Sequence, residues 1–276
     1  MSAGTAQTRP FSSNPHRMSD DPQIVAPVEA PPVTEAERPH KPVASYTHTL
    51  LVVLLMAAVA TMTALASGEG LEPRASLLSR YTQTIVWLWA LATIVYLGMR
   101  RHGVKLGEVL GRPWKSTDDV MIDVVIAGSF WVVSAGTLAL LRLLFFTVPH
   151  DTQSLEKAIK AVAPLAPHTR EEIALWVAMS ITAGLCEEFV FRGYLQRQFA
   201  ALTRQPALGI ALSALVFGMG HAYQGAQQML LIAIYGAMFG ALAHFRRSLK
   251  PGMMAHAWQD IFSGLILSLV TQRPLH

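Results

Sequence analysis

The sequence predicts an all-α, polytopic transmembrane helical bundle of about seven spans. Two observations lead to this class. Of the 276 residues, 52% are hydrophobic and only 14% are charged, a composition that is poor material for a soluble surface. The apolar residues also lie in runs that approach or exceed the roughly 17 residues that a spanning helix requires.

The first 45 residues do not share this composition. They hold eight of the sixteen prolines, mixed charges and almost no large apolar side chains. Such a segment buries too little apolar surface to offset the entropy lost on ordering. We therefore expect residues 1–45 to form a disordered cytoplasmic tail.

Seven apolar stretches follow this tail. They lie at about 50–66, 81–99, 120–148, 169–203, 206–221, 225–245 and 251–271. The first three belong to an accessory region, residues 46–168, which includes the basic linker 100–119. Asp123 and Arg142 interrupt the third stretch near its ends, where long side chains can reach the headgroups. By the positive-inside tendency, the linker and the N-terminus lie in the cytoplasm, as in a multi-pass protein of the cell (inner) membrane.

The fourth stretch carries charges that a spanning helix does not need. Near a helix centre in lipid, each charged residue costs about 2.5 to 3.5 kcal/mol, so Glu187, Glu188 and Arg192 are expected to face protein or water. Thr169 and Glu172 have the spacing of a capping box, which begins the helix. Glu188 and Arg192 are four residues apart and can pair, which leaves Glu187 for chemistry. A purely structural cluster of buried charges is the alternative.

Two later stretches contain polar interruptions. Phe217 and His221 lie four residues apart at the end of the fifth stretch, and His256 and Asp260 have the same spacing near the start of the seventh. Each pair therefore shares a helix face. The other eight histidines, His48 among them, lie in tails, in loops or at the end of a span, and we expect no special role for them.

Helix geometry predicts the depth of these groups. Glu187 lies about 17 residues before the turn at residues 204–205 and His221 about 16 after it, so a rise of about 1.5 Å per residue places them at one depth. His256 lies only about six residues beyond its own turn. Upright helices would leave His256 on the order of 15 Å from Glu187 and His221, unless the sixth stretch tilts strongly or is partly unwound.

A carboxylate and an imidazole that face each other across water support general acid-base hydrolysis. Glu187 and His221 would activate the water, and His256 with a neighbouring group would hold the oxyanion. Alternatively, His221, His256 and a carboxylate such as Asp260 could hold zinc with an open water position. The sequence does not choose between these designs. The single cysteine, Cys186, is expected to be a small packing residue rather than a nucleophile.

Three motifs on separate apolar stretches carry a resemblance to a known family. They are Glu187-Glu188-x-x-x-Arg192, Phe217-x-x-x-His221 and His256-x-x-x-Asp260. In order and approximate spacing they resemble the motifs of the CPBP family, the CAAX-protease and bacteriocin-processing intramembrane proteases, including type II CAAX prenyl endopeptidases. The resemblance covers about residues 169–270.

The resemblance implies a catalytic membrane core, residues 169–276, around a central hydrolytic cavity. The implied catalytic residues are Glu187, His221, His256 and Asp260, and the implied supporting residues are Glu188, Arg192 and Phe217. Family members are described both as metalloproteases and as glutamate-dependent enzymes, so zinc is a candidate cofactor. Position 260 is often Asn in this family, and an ionised Asp260 cannot donate to an oxyanion. Asp260 would have to be protonated, orient His256 or bind metal.

We therefore expect an intramembrane endopeptidase that hydrolyses a peptide bond in a membrane-embedded or lipidated peptide. The net charge is only +4 and the basic residues fall between apolar stretches, which favours contact with the lipid bilayer and no nucleic acid partner. The alternative is a non-catalytic membrane protein, either a proton-coupled transporter subunit or a scaffold. The sequence contains no internal repeat, which weakens the transporter reading.

Overall fold

The computed structural model describes residues 41–68, 76–146 and 162–271, besides Met1. These three ranges belong to one compact unit, Pro39–His276. Residues 2–40 lie outside the described residues, so disorder of the tail stays a prediction. The described residues form helices and their connections, and they include no β-strand.

We number the α-helices of the described residues in chain order. They are α1 Tyr46–Gly68, α2 Leu77–Arg101, α3 Leu106–Leu110, α4 Thr117–Leu141, α5 Arg170–Glu187, α6 Gln196–Thr203, α7 Pro206–Met219, α8 Ala226–Arg246 and α9 Lys250–Thr271. A π-helical turn, Arg142–Phe146, extends α4, and a longer π-helix, Glu188–Leu195, joins α5 to α6. Two 3₁₀ turns lie at Ala163–Leu165 and Ala222–Gln224.

The predicted all-α polytopic class is confirmed, with a shorter fifth stretch than expected. In the described ranges six segments are long and apolar enough to cross a membrane, and they contain α1, α2, α4, the run from α5 to α6, α8 and α9. The apolar helix α7 has only 14 residues. At about 1.5 Å per residue it rises about 21 Å, which is less than the roughly 30 Å of a hydrocarbon core.

Local signals explain where the helix of the fourth span begins and ends. The predicted capping box is present, since Thr169 accepts from the Glu172 amide and the Glu172 carboxylate accepts from the Thr169 amide. The helix then continues to Thr203, as predicted, although Glu188–Leu195 is π-helical. Arg204 adopts a left-handed conformation with φ of 58°, which ends α6 immediately before Pro206 begins α7.

The start of α9 lies deeper than upright helices would place it. Leu249, the residue before α9, packs beside Gly193 of the π-helix, because its Cδ1 lies 3.1 Å from the position of a Cβ at Gly193. The Leu249 amide donates to the Leu110 carbonyl at 3.2 Å, and this hydrogen bond fixes the start of α9 beside the end of α3. The separation of about 15 Å that upright helices would give is therefore not observed, and His256 Nε2 lies 3.7 Å from Glu187 Oε2.

α5 and α9 pack closely, and a glycine permits the approach. A Cβ at Gly184 would lie 2.6 Å from the Met253 carbonyl oxygen and 2.9 Å from the Ala257 amide nitrogen. Real side chains essentially never approach backbone atoms so closely, so only glycine fits here. The close approach brings the C-terminal end of α5 against the first turns of α9.

Two polar residues make contacts that the sequence did not indicate. Asp123 of α4 is only 3% exposed, accepts from Trp114 Nε1 at 2.7 Å and pairs with Arg246 at 2.9 Å. It therefore faces the protein rather than the headgroups. His48 lies in α1, not in a tail or loop, and its Nδ1 is 2.7 Å from the Tyr194 hydroxyl. Both corrections have one reason: the charged partner of Asp123 and the hydroxyl partner of His48 lie 123 and 146 residues away along the chain.

Candidate active site

Two adjacent carboxylates lie where α5 becomes the π-helix. Successive helical residues differ by about 100° in direction, so Glu187 and Glu188 leave the helix on different sides. The Glu188 side chain is 1% exposed, whereas 17% of the Glu187 side chain is exposed. One carboxylate is therefore sealed in protein and the other reaches the boundary of the site.

Arg192 holds the sealed carboxylate. Its Nη1 donates to Glu188 Oε1 at 2.7 Å, and its Nη2 donates to the Gly236 carbonyl at 2.9 Å. The guanidinium carbon also lies 4.7 Å from the centre of the Phe217 ring and 5.1 Å from that of Phe239. The predicted pairing of Glu188 with Arg192 is thus present. Both charges are buried, so the loss of either would leave the other uncompensated.

His256 of α9 lies among three carboxylates. Its Nδ1 is 2.9 Å from Glu188 Oε1, and its Nε2 is 3.7 Å from both Glu187 Oε2 and Asp260 Oδ2. An ionised carboxylate accepts and cannot donate, so Nδ1 carries the proton in the contact with Glu188. Nε2 then points between Glu187 and Asp260, beyond hydrogen-bond distance of either oxygen, and can meet a third group.

Asp260 is the most open of these groups. Its side chain is 35% exposed, compared with 5% for the side chain of His256. Trp176 of α5 donates from its indole nitrogen to the Asp260 backbone carbonyl at 3.0 Å, which ties this turn of α9 to α5. Asp260 and Glu187 are therefore the members of the cluster that lie partly at the surface of the protein. Enclosure of the groups in a central cavity stays a prediction.

His221 follows α7, on the other side of Phe217. The Phe217 ring lies 5.0 Å from the His221 ring and 6.1 Å from the His256 ring, measured between centres. His221 Nδ1 lies 3.0 Å from the Phe217 carbonyl oxygen, which can only accept. The proton of a neutral His221 is therefore on Nδ1, and its Nε2 offers a lone pair, as a base requires.

All seven residues that the motifs singled out now have a place. Glu187, Glu188, Arg192, His256 and Asp260 form one contacting cluster, and Phe217 connects that cluster to His221. In the described residues no ion pair joins His221 to a carboxylate. The expected partnership of His221 with Glu187 would therefore run through water or substrate.

Comparison with known families agrees with this geometry. A family model described as "Type II CAAX prenyl endopeptidase Rce1-like" matches residues 169–262. Residues 169–262, called the Rce1-like region below, are thus similar to that family. The match confirms the family resemblance of the three motifs, and it leaves residues 1–168 and 263–276 uncovered. No curated protein and no solved structure matches the chain.

Contacts within the Rce1-like region do not form a metal-ligand set. Zinc would need three or four nitrogen, sulfur or oxygen donors at about 2.0 to 2.3 Å from one point. The residues that the structure describes contain no group of three His, Cys, Asp or Glu side chains that could hold a metal ion. His221, His256 and Asp260 therefore do not form such a site in this arrangement, although each imidazole, with its Nδ1 engaged, keeps Nε2 as a ligand atom. We derive no step through a metal.

The Rce1-like region also holds site features that the sequence did not indicate. The contact of Glu188 with His256 joins residues 68 positions apart. Tyr223, two residues after His221, stacks on the His221 ring with 6.2 Å between centres and 29° between planes. Its position in a polar break between apolar stretches was the available signal. Cys186 is 2% exposed and belongs to the core, as expected of a packing residue.

Proposed function

We propose that this protein is an intramembrane endopeptidase that hydrolyses a peptide bond in a membrane-anchored or lipidated substrate. The Rce1-like match indicates CAAX-type intramembrane protease activity at the level of the family. The observation that carries the proposal is the arrangement of Glu187, Glu188 and Asp260 around His256, where two segments of membrane-spanning length meet.

In the proposed reaction Glu187 and His221 share the work of a general base. Glu187 is partly exposed and has no cation held against it at hydrogen-bond distance, so its oxygen can take a proton from water. His221 Nε2 is free to accept in the tautomer that Phe217 fixes. The resulting hydroxide attacks the carbonyl carbon, the C–N bond breaks, and the proton passes to the leaving amine. The products are a carboxylate and a free amine.

His256 and Asp260 would act on the developing oxyanion and on each other. Glu188 anchors Nδ1 of His256 and thereby aims Nε2 toward the exposed edge of the site. In its doubly protonated form, His256 presents an Nε2–H group to the oxyanion. Asp260, 3.7 Å from the same nitrogen, supplies a compensating negative charge. Glu188, Arg192 and Phe217 brace this arrangement.

The basic residues between the apolar stretches bear on the cellular location of the protein. We propose that the protein lies in the cell inner membrane with its N-terminus in the cytoplasm, because the basic linker 100–119 favours the cytoplasmic side. The six candidate spans support contact with a bilayer. The substrate peptide is implied only by the family.

The test is cleavage of a lipidated fluorogenic peptide by the full chain in proteoliposomes. We expect Glu187→Gln to lower kcat by about 10²- to 10⁴-fold, the usual contribution of a general base. Glu171→Gln is the matched control, because Glu171 lies in the first turn of the same helix and is exposed. Thermal unfolding should show that both variants fold.

Two results would overturn the proposal. Activity of Glu187→Gln equal to wild type would remove Glu187 from the chemistry. Proton flux that depends on Glu187, in liposomes where no peptide is ever hydrolysed, would point instead to a proton-coupled transporter.

A further inference from the structure

The proposed reaction needs more hydrogen-bond donors than the motif residues supply. Glu187, Glu188 and Asp260 only accept when ionised, and His256 offers at most one N–H to substrate because Glu188 occupies its Nδ1. An oxyanion formed in a water-excluding site is stabilised by donors placed against it, and enzymes commonly provide two. With Asp260 ionised, as in the proposed reaction, a second donor has to come from another residue.

Tyr223 lies where such a donor is needed. It occupies the 3₁₀ turn Ala222–Gln224, and its ring stacks on His221, the proposed partner of Glu187. The hydroxyl oxygen accepts a hydrogen bond from Gln224 Nε2 at 2.9 Å. Among the described residues no acceptor takes the hydroxyl proton. The hydroxyl is thus oriented by one neighbour while its own proton is free to donate.

The position of this turn in the fold supports a functional role. Because α7 has only 14 residues, the turn after it lies within the depth of the membrane if the other end of α7 lies at the surface. Irregular backbone at that depth occurs where it is buried in protein or lines a water-filled space. Tyr223 is 36% exposed, which fits the second case. The turn therefore presents both His221 and Tyr223 to the wet edge of the site.

We propose that Tyr223 is a further catalytic residue, whose hydroxyl donates a hydrogen bond to the carbonyl oxygen of the scissile peptide bond as that oxygen becomes negative. The inference rests on the proposed function. Tyr223 keeps its proton throughout, so the overall reaction is unchanged: water adds to the carbonyl carbon, the C–N bond breaks, and carboxylate and amine leave. Gln224 orients the hydroxyl, and His221 holds the ring by stacking.

The experiment compares Tyr223→Phe with wild type in proteoliposomes, using the same lipidated peptide. Phenylalanine keeps the ring that stacks on His221 and removes only the donor. We expect kcat to fall by about 10²- to 10³-fold, the effect of deleting one oxyanion donor, and KM to stay within about twofold. The pH profile of kcat should keep its shape, because His221 is untouched. Tyr46→Phe, an exposed tyrosine in the first turn of α1, is the matched control.

A second measurement separates the donor from a structural role. A peptide phosphinate, which mimics the tetrahedral intermediate, should bind Tyr223→Phe about 10²-fold more weakly than wild type, while a substrate-like peptide ketone binds equally. Equal phosphinate affinity, or an unchanged kcat, would overturn the role of Tyr223. If Tyr223→Phe is fully active while Glu187→Gln is inactive, the endopeptidase stands and this inference alone falls. If Glu187→Gln is as active as wild type, both fall.

Discussion

Neutralising Glu188 is the most direct test of the buried network. The Glu188 side chain is 1% exposed, and it accepts from Arg192 at 2.7 Å while lying 2.9 Å from His256. Glu188→Gln keeps the shape and an acceptor oxygen but removes the charge. Arg192, also 1% exposed in its side chain, would then have only neutral acceptors, the Gly236 carbonyl and the amide oxygen of the substituted side chain.

The expected cost follows from that burial. Breaking one side of a buried ion pair costs about 3 to 5 kcal/mol, and the retained amide oxygen places Glu188→Gln near the lower end, about 3 kcal/mol. Glu188→Gln combined with Arg192→Met should recover most of the loss, because apolar replacement of a whole buried pair is often neutral. Activity should stay low in the double variant, since His256 has lost the anchor at its Nδ1.

The assay is reversible unfolding in mixed detergent micelles, with the free energy of unfolding compared across the two single variants and the double variant. Glu171→Gln, on the exposed first turn of α5, should change the free energy by less than about 0.5 kcal/mol. A Glu188→Gln protein as stable as wild type would refute the reasoning. So would a double variant whose loss equals the sum of the two single losses, because the pair would then have no coupling.

The remaining predictions concern helix packing and metal. Gly184→Ala places a Cβ 2.6 Å from the Met253 carbonyl oxygen, so it should lower the free energy of unfolding by about 1 to 3 kcal/mol and impair cleavage. Gly136→Ala is the control: a Cβ there would have no heavy atom within 4 Å, so this variant should be as stable as wild type or slightly more stable. Equal stability of the two alanine variants would contradict the close packing of α5 on α9. Cleavage should survive strong chelators, since the described side chains form no metal-ligand group; activity lost on chelation and restored by zinc alone would show a metal mechanism.

Short-range patterns predicted short-range structure well. The capping box of Thr169 and Glu172, the turn at Arg204 and the pairing of Glu188 with Arg192 each depend on residues within four positions of one another. Backbone hydrogen bonding fixes such geometry wherever the helix lies in the fold. The fold class was equally accessible, because bilayer thickness sets the length of apolar helices.

Long-range contacts were not accessible in the same way. The level of α9 depends on the hydrogen bond from Leu249 to Leu110, between segments with no shared sequence pattern. A rule of upright helices could not include that bond, so it placed His256 too far from Glu187. The contact of His48 with Tyr194 was not predicted, for the same reason. Hydropathy shows that a polar group must be satisfied but does not name the partner.

The irregular parts of the fold lie at the candidate site, and the chain holds them there with side-chain hydrogen bonds. Long π-helices are rare, and short π segments are frequent at functional sites. Here neighbouring helices contact Glu188–Leu195 and its edge at three points: Arg192 donates to the Gly236 carbonyl, Gln196 to the Gly240 carbonyl, and Ser213 to the Phe191 carbonyl.

These contacts join the π-helix to α7 and α8. Phe217 lies in α7, and His221 and Tyr223 lie in the connection between α7 and α8. The π-helix and the short α7 are therefore parts of one arrangement. Glu187 and Glu188, at the junction of α5 with the π-helix, lie against opposite nitrogens of His256, and α7 ends early enough to bring a polar turn near this cluster. An α7 long enough to cross the whole hydrocarbon core before this turn would instead carry the turn, with His221 and Tyr223, to the far membrane surface and away from Glu187.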